Sequence, residues 1–207
     1  MRSTFARHYD QFTARMERGW LREARVELLA GLAGTVVELG AGTGHNLEHY
    51  PDAVERLVLT EPSATMRDQL RTHVSERSFP FEVDIVDATA DRLPVNDDTA
   101  DAVVSTLVLC SVPALGPAVA EIRRVLHPGG ELRLIEHVAA ARPWAHRVQR
   151  TLDPVWNWIE GSCHLDHETP TALAAGGFDI SGVREDVQPG MPPLFHRIAR
   201  GTATLPA

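Results

Sequence analysis

Apolar residues along this chain follow two rhythms. In the first thirty residues Phe12, Met16 and Trp20 recur every four positions, Ala24 and Leu28 extend the stripe, and charges fill the other face. That spacing predicts an amphipathic helix. Short apolar runs follow. Thr35 to Leu39 is continuous and ends at a glycine, as expected of a strand buried on both faces. Arg56 to Glu61, Phe81 to Val86, Ala102 to Val108 and Glu131 to Glu136 are further strand-like runs. Ser63 is placed to cap a helix reaching about Val74. Pro117 suits the first turn of another, whose Val119, Ile122 and Leu126 share one side until Pro128-Gly129-Gly130 stops it. Strands alternating with helices predict an α/β, doubly wound, parallel sheet. Ala145 to Ile159 then reads as an aromatic-rich helical insert, with Trp144, Trp156 and Trp158 around a turn at Asp153-Pro154. Pro170 to Ala175 begins a last helix, broken at Gly176-Gly177. Phe178 to Val187 and Phe195 to Thr202 are expected to pair as an antiparallel hairpin.

Composition narrows the class. A chain of 207 residues, 43% apolar and 23% charged, suits one domain with one substantial core. No repeat or linker interrupts it, so residues 1–207 are read as a single domain. A net charge of −8 disfavours a nucleic-acid partner. No apolar run approaches the roughly 20 residues of a membrane span, and Met1 to Phe5 lacks the apolar core of a signal peptide. Cys110 and Cys163 are too few for a disulfide framework, which points to a reducing cytoplasm. The expectation is a cytoplasmic monomer or small homo-oligomer acting on a small molecule. Peripheral membrane association stays open, because an acidic protein can still present an apolar face.

The first strand runs into Glu38-Leu39-Gly40-Ala41-Gly42-Thr43-Gly44, with three glycines at alternating positions. Glycine there lets the backbone approach a ligand closely, and N–H groups at the start of a following helix suit an anionic group. A dinucleotide site wants G-x-G-x-x-G. Here the third glycine comes one position early and His45 fills the place such a site reserves. The pattern resembles the E/D-x-G-x-G-x-G motif of class I methyltransferases; a dinucleotide site or a ligand-free turn is the alternative. Glu61 ends the second strand a little over twenty residues beyond Glu38, where a carboxylate can accept both hydroxyls of a ribose. As an isolated residue it would be a solvated strand-end acid.

More specific segments extend the likeness. Gly40 to Pro51, Thr106 to Val112 (Thr-Leu-Val-Leu-Cys-Ser-Val), Arg124 to Gly130, Glu136 to Ala140 (Glu-His-Val-Ala-Ala), Leu152 to Trp156 and Gly161 to Leu165 together resemble the microsomal alkyl-thiol S-methyltransferases. The resemblance covers about Tyr9 to Arg200. It implies a Rossmann-like fold with a seven-stranded, mostly parallel sheet in order 3-2-1-4-5-7-6, and S-adenosyl-L-methionine as cofactor, released as S-adenosyl-L-homocysteine. Residues 1–30 become a helical cap, residues 140–175 an insert over the substrate. The cofactor set it implies is Tyr9, Glu38, Gly40, Ala41, Gly42, Gly44, Asn46, Glu61, Pro62, Met66, Asp87, Ala88, Thr106 and Leu107. Asp87 would accept from the adenine amino group, Ala88 would address a ring nitrogen, and Thr106 and Leu107 would border the sulfonium. Met66 is equally readable as core, and Tyr9 as an ordinary aromatic of an amphipathic helix. The animal members carry an N-terminal membrane anchor that this sequence does not show, so membrane residence is not expected.

Methyl transfer asks mainly for proximity, alignment and a deprotonated nucleophile. A thiol with a pKa near about 8.5 needs little help to ionise. His137, at the end of the fifth strand, is the candidate base; a structural histidine is the alternative. The implied substrate pocket is Cys110, His137, Trp144, Trp156, Cys163, His164 and Phe195. The aromatics are also readable as core, and Cys110 as a buried, inert thiol. Cys163-His164-Leu165-Asp166-His167-Glu168 has zinc-type ligands, but no second pair at usual spacing. The resemblance puts non-ligand residues at the positions of His164 and His167, so no metal is expected. The leading function is methylation of a small apolar thiol. The alternatives are N-, O- or C-methylation of a lipid, quinone or secondary metabolite, a non-catalytic S-adenosylmethionine-binding regulatory module, and an oxidoreductase.

Overall fold

A computed structural model describes residues 19–140, 144, 146–149, 151, 164, 166–188 and 197–207. Tyr9, Trp156, Trp158, Cys163 and Phe195 lie outside the described residues, as do Phe12 and Met16 of the first apolar stripe. The described elements are α1 (Trp20–Leu29), β1 (Gly34–Leu39), β2 (Val54–Thr60), α2 (Ala64–Ser75), β3 (Glu82–Val86), β4 (Ala100–Thr106), α3 (Leu115–Val125), β5 (Leu126–His137), α4 (Thr169–Ala175), β6 (Asp179–Val187) and β7 (Arg197–Thr204). Single 3-10 turns occupy Leu47–His49 and Leu109–Ser111.

The strands form one seven-stranded sheet in the order β3-β2-β1-β4-β5-β7-β6. The first five pair in parallel, and β7 runs antiparallel to both β5 and β6. This is the expected order. Alternate residues of the central strands feed two apolar cores, one on each face. Val37, Leu39, Val58 and Val103 join Val119 and Ile122 of α3 and Leu173 of α4. Val36, Leu57, Leu59 and Val104 join Leu21 and Leu28 of α1 and Leu70 of α2. Burial on both faces is why these strands read as unbroken apolar runs. Each fully buried leucine contributes about 2 kcal/mol from the apolar surface it removes from water.

Two boundaries differ from expectation. Pro128-Gly129-Gly130 does not follow the helix as a free stop. Helix α3 ends at Val125, and β5 starts at Leu126 and absorbs all three residues at a register shift against β4. Leu205 makes this possible: its carbonyl accepts from Gly129 N–H and its own N–H donates to Gly130 carbonyl, both at 2.9 Å. Ser63 precedes α2 but makes no side-chain cap. Its backbone N–H instead donates to Glu61 Oε1 at 2.8 Å.

Candidate functional site

Strand β1 lies inside the sheet between β2 and β4; the chain steps outward from it to β2 and β3, then crosses back to β4 on its other side. That reversal opens a crevice beyond the strand C-termini, the usual ligand position in open α/β sheets. The glycine turn forms its floor. Gly40, Gly42 and Gly44 take φ of +51°, +59° and +96°. A β-carbon on Gly40 would sit 2.8 Å from Val108 Cγ2; one on Gly44 would sit 2.6 Å from Leu47 Cδ1 and 2.8 Å from Leu70 Cδ1. At these two positions the positive φ, with the protein's own side chains close by, already favours glycine, a different reason from close approach to a ligand. The expected α-helix after the turn is also absent. The 3-10 turn at Leu47–His49 stands in its place.

A buried polar network holds the turn from below. Glu38 is 4% exposed and both its oxygens are engaged: Tyr50 Oη donates to Oε2 at 2.7 Å and Asn46 Nδ2 to Oε1 at 2.9 Å. Asn46 Nδ2 also reaches Thr106 Oγ1 at 3.2 Å, and Arg25 Nη1 donates to Asn46 Oδ1 at 2.8 Å. Desolvation raises the Glu38 carboxyl above its ordinary range, against the lowering effect of Tyr50, Asn46 and Arg25. Burial, reinforced by Glu38, pushes the Tyr50 hydroxyl well up. Glu38 and Asn46, expected to face a cofactor, thus spend their polar atoms inside the protein, joining α1, β1, β4 and the glycine turn.

Glu61 follows β2 at the rim. Its Oε2 accepts from Gly42 N–H at 3.0 Å and its Oε1 from Ser63 N–H. These bonds orient the carboxylate and occupy two of its roughly four acceptor positions, leaving lone pairs for further donors. Burial raises the Glu61 carboxyl despite those bonds. Arg67 Nη1 donates to the Glu61 backbone carbonyl at 2.6 Å and Nη2 to Asp87 Oδ2 at 2.7 Å, so one guanidinium joins the backbone after β2 to the acid after β3. Ala88 and Met66 are buried, Met66 outside both apolar cores, and Pro62 is exposed.

Beyond β4 and β5 the backbone is unusually constrained. Leu107 has φ of +60°, a strained conformation for a leucine. Glu136, fully buried, ties down this segment: Ser105 Oγ donates to it at 2.6 Å, Val108 N–H at 3.0 Å and Cys110 N–H at 2.9 Å. Burial raises its carboxyl more than those bonds and that of Leu109 lower it. His137 is buried beside it at the end of β5, and Cys110 is buried too. The 164–167 segment docks here. His164 N–H donates to Cys110 carbonyl at 2.7 Å, and Ala139 N–H to His167 carbonyl at 3.0 Å. Trp144 is 62% exposed, so it is not a core residue.

The structure therefore gathers Gly40 to Gly44, Glu61, Asp87, Thr106 and Leu107 at the ends of β1–β4, with Cys110, His137 and His164 beyond β4 and β5. Sequence reasoning missed Arg25, Tyr50 and Arg67, and gave Glu136 no role. One signal was available: Arg25 falls among the buried positions Leu21, Ala24 and Leu28 of α1, where a charge needs a buried partner.

A sheet of this order with an acid-flanked glycine turn at its switch point defines a class I methyltransferase fold, and residues 37–134 match the methyltransferase domain family. The chain belongs to the S-adenosylmethionine-dependent methyltransferases, in the group that includes the thiol S-methyltransferases. It is 36% identical over 175 residues to human thiol S-methyltransferase TMT1B, covering 83% of this chain and 70% of the relative. Against human thiol S-methyltransferase TMT1A it is 35% identical over 159 residues, covering 75% of this chain and 65% of the relative. The chain thus spans about two thirds of the length of these relatives. Its fold is similar to that of geranyl diphosphate C-methyltransferase from Streptomyces coelicolor A3(2), solved with Mg2+, geranyl diphosphate and S-adenosyl-L-homocysteine. There the TM-score is 0.67 at 16% identity, with 88% of this chain and 77% of the other covered. Among the described residues no helix is long and apolar enough to cross a membrane.

Proposed function

We propose that this protein transfers a methyl group from S-adenosylmethionine to the sulfur of a small, apolar thiol. The observation that carries the reading is the similarity to two human thiol S-methyltransferases across most of the chain. The cofactor supplies a methyl carbon already activated by its sulfonium. Glu61, oriented by Gly42 and Ser63, accepts the ribose hydroxyls. Asp87, held by Arg67, faces the adenine, with Ala88 and Met66 beside it. Thr106 and Leu107 border the sulfonium end. Glu38 and Asn46 act through the turn they support. His137 accepts the thiol proton, the sulfur bonds to the methyl carbon, and the carbon–sulfonium bond breaks to release neutral S-adenosylhomocysteine.

The whole chain works as one domain, with residues 1–30 and 140–175 closing over the two ligands. Tyr9 belongs to the first closure; Trp144, Trp156, Cys163, His164 and Phe195 belong to the second. The site is cytoplasmic and the acceptor a free small molecule. The test is a panel of alkyl thiols, phenols and amines incubated with methyl-labelled cofactor. Labelled thioethers are the expected product. Label on amines or phenols with no thiol turnover would overturn the thiol assignment.

A further inference from the structure

Asp166 and His167 have no role in the reading above, and His164 has only its place in the insert over the substrate. Each presents one ligand-type atom, and the three atoms lie within 4.8 Å of one another on half-buried side chains. The histidine rings stack, with centroids 4.6 Å apart and planes inclined by 13°. His167 Nδ1 lies 3.0 Å from Leu109 carbonyl oxygen. A carbonyl can only accept, so Nδ1 is the donor, and in the neutral ring the lone pair is on Nε2. Metal-binding histidines are commonly oriented in this way, the second nitrogen donating to a backbone carbonyl. The backbone is anchored on both sides, through His164 to Cys110 and through His167 to Ala139. The segment is therefore fixed against the 3-10 turn after β4 and the end of β5, at the acceptor side of the crevice.

We propose that His164, Asp166 and His167 form a zinc-type divalent metal site whose open position takes the sulfur of the acceptor thiol. Two imidazoles and one carboxylate with a vacant fourth position is a zinc arrangement typical of catalytic sites. Zinc–ligand bonds of about 2.0–2.2 Å place tetrahedral ligands about 3.4 Å apart, so closing the site asks about 1 Å of side-chain movement. Sequence spacing argues against metal because it looks for paired ligands at motif distances; the three side chains meet here through a docked loop instead. A thiol entering the open position displaces a water and gives up its proton, for which His137 is the acceptor assigned above. The bound thiolate then attacks the methyl carbon, and the metal stays on the protein throughout. A metal-bound thiol ionises outright at neutral pH. The thiol half of this proposal rests on the acceptor assigned above; the metal half does not.

The experiment uses full-length protein stripped with a chelator and titrated with Co2+, first alone and then with a small alkyl thiol. One Co2+ per chain is expected, with a visible band of tetrahedral intensity, and an added sulfur-to-cobalt charge-transfer band once thiol is present. H164A, D166N and H167A should each weaken Co2+ binding at least about tenfold while keeping the thermal midpoint and S-adenosylhomocysteine affinity of the parent. H127A, at the opposite end of the sheet, should bind Co2+ like the parent. Binding that fails to saturate, or that survives all three substitutions, overturns the site. Saturable Co2+ binding with no thiolate band overturns the thiol role, and leaves the S-methylation reading to be judged by the acceptor panel alone.

Discussion

Glu61 is the residue proposed to accept the ribose hydroxyls, and its carboxylate is held by N–H groups of the glycine turn and of Ser63. Replacing it with alanine removes the ribose acceptor and strands the N–H groups of Gly42 and Ser63. Hydrogen bonds to a charged partner contribute about 1.5–3 kcal/mol, so E61A should weaken S-adenosylhomocysteine binding by about 10- to 100-fold in calorimetry. Unchanged affinity would remove Glu61 from the site. His137 makes a separable prediction. H137A should bind cofactor like the parent and lose turnover mainly at low pH, where the thiol is protonated; an unaltered pH–rate profile returns His137 to a structural role. Glu136 has a signature in stability. Its carboxyl is raised above the ordinary 4.5 by burial, so the folded chain holds that proton more tightly than the unfolded chain. The stability it contributes is therefore fully present below about 4.5 and is lost as pH rises through the raised folded value. The difference in unfolding free energy between wild type and E136Q, from urea titrations across this window, should move against wild type as pH rises. A flat difference would mean the buried group does not titrate there.

At the scale of elements, the glycine turn is a joint between β1, the 3-10 turn and α2. Gly44 carries this joint, since both its φ of +96° and the side chains of Leu47 and Leu70 oppose a β-carbon. G44V should cost about 2–4 kcal/mol through positive-φ strain together with overpacking, lowering the thermal midpoint even without cofactor. A variant as stable as the parent would show that the turn relaxes freely. Strand β5 shows the limit of local reading. Pro128-Gly129-Gly130 carries every sign of a turn, yet it enters the strand because Leu205, some 75 residues further on, supplies its backbone partners. Local residue chemistry marks where a chain can bend; a distant strand end decides whether the bend stays outside the sheet.

For the whole molecule, a ligand that binds only the folded chain stabilises it by mass action, by about 2.7 kcal/mol at a hundredfold excess over its Kd. S-adenosylhomocysteine should therefore raise the thermal midpoint in a concentration-dependent way, and a nicotinamide dinucleotide should not. Stabilisation by the dinucleotide alone would overturn the cofactor reading drawn from the glycine spacing.

The sequence by itself determined the run of alternating strands and helices, the position of the glycine turn and the acids Glu38 and Glu61. Those follow from periodicity and local backbone chemistry, which act between near neighbours. Only the tertiary structure decided what each acid does. Glu38 and Asn46 were legible as cofactor contacts, yet their polar atoms turn inward to Tyr50, Thr106 and Arg25, residues drawn from α1, β4 and the stretch after β1. Glu136 had a place in a family-specific segment but no role; burial gave it Ser105 and three backbone donors. The gathering of His164, Asp166 and His167 beside Leu109 likewise depends on backbone contacts with Cys110 and Ala139, far away in sequence. A charge taken out of water must find partners, and which partners arrive is a property of the fold.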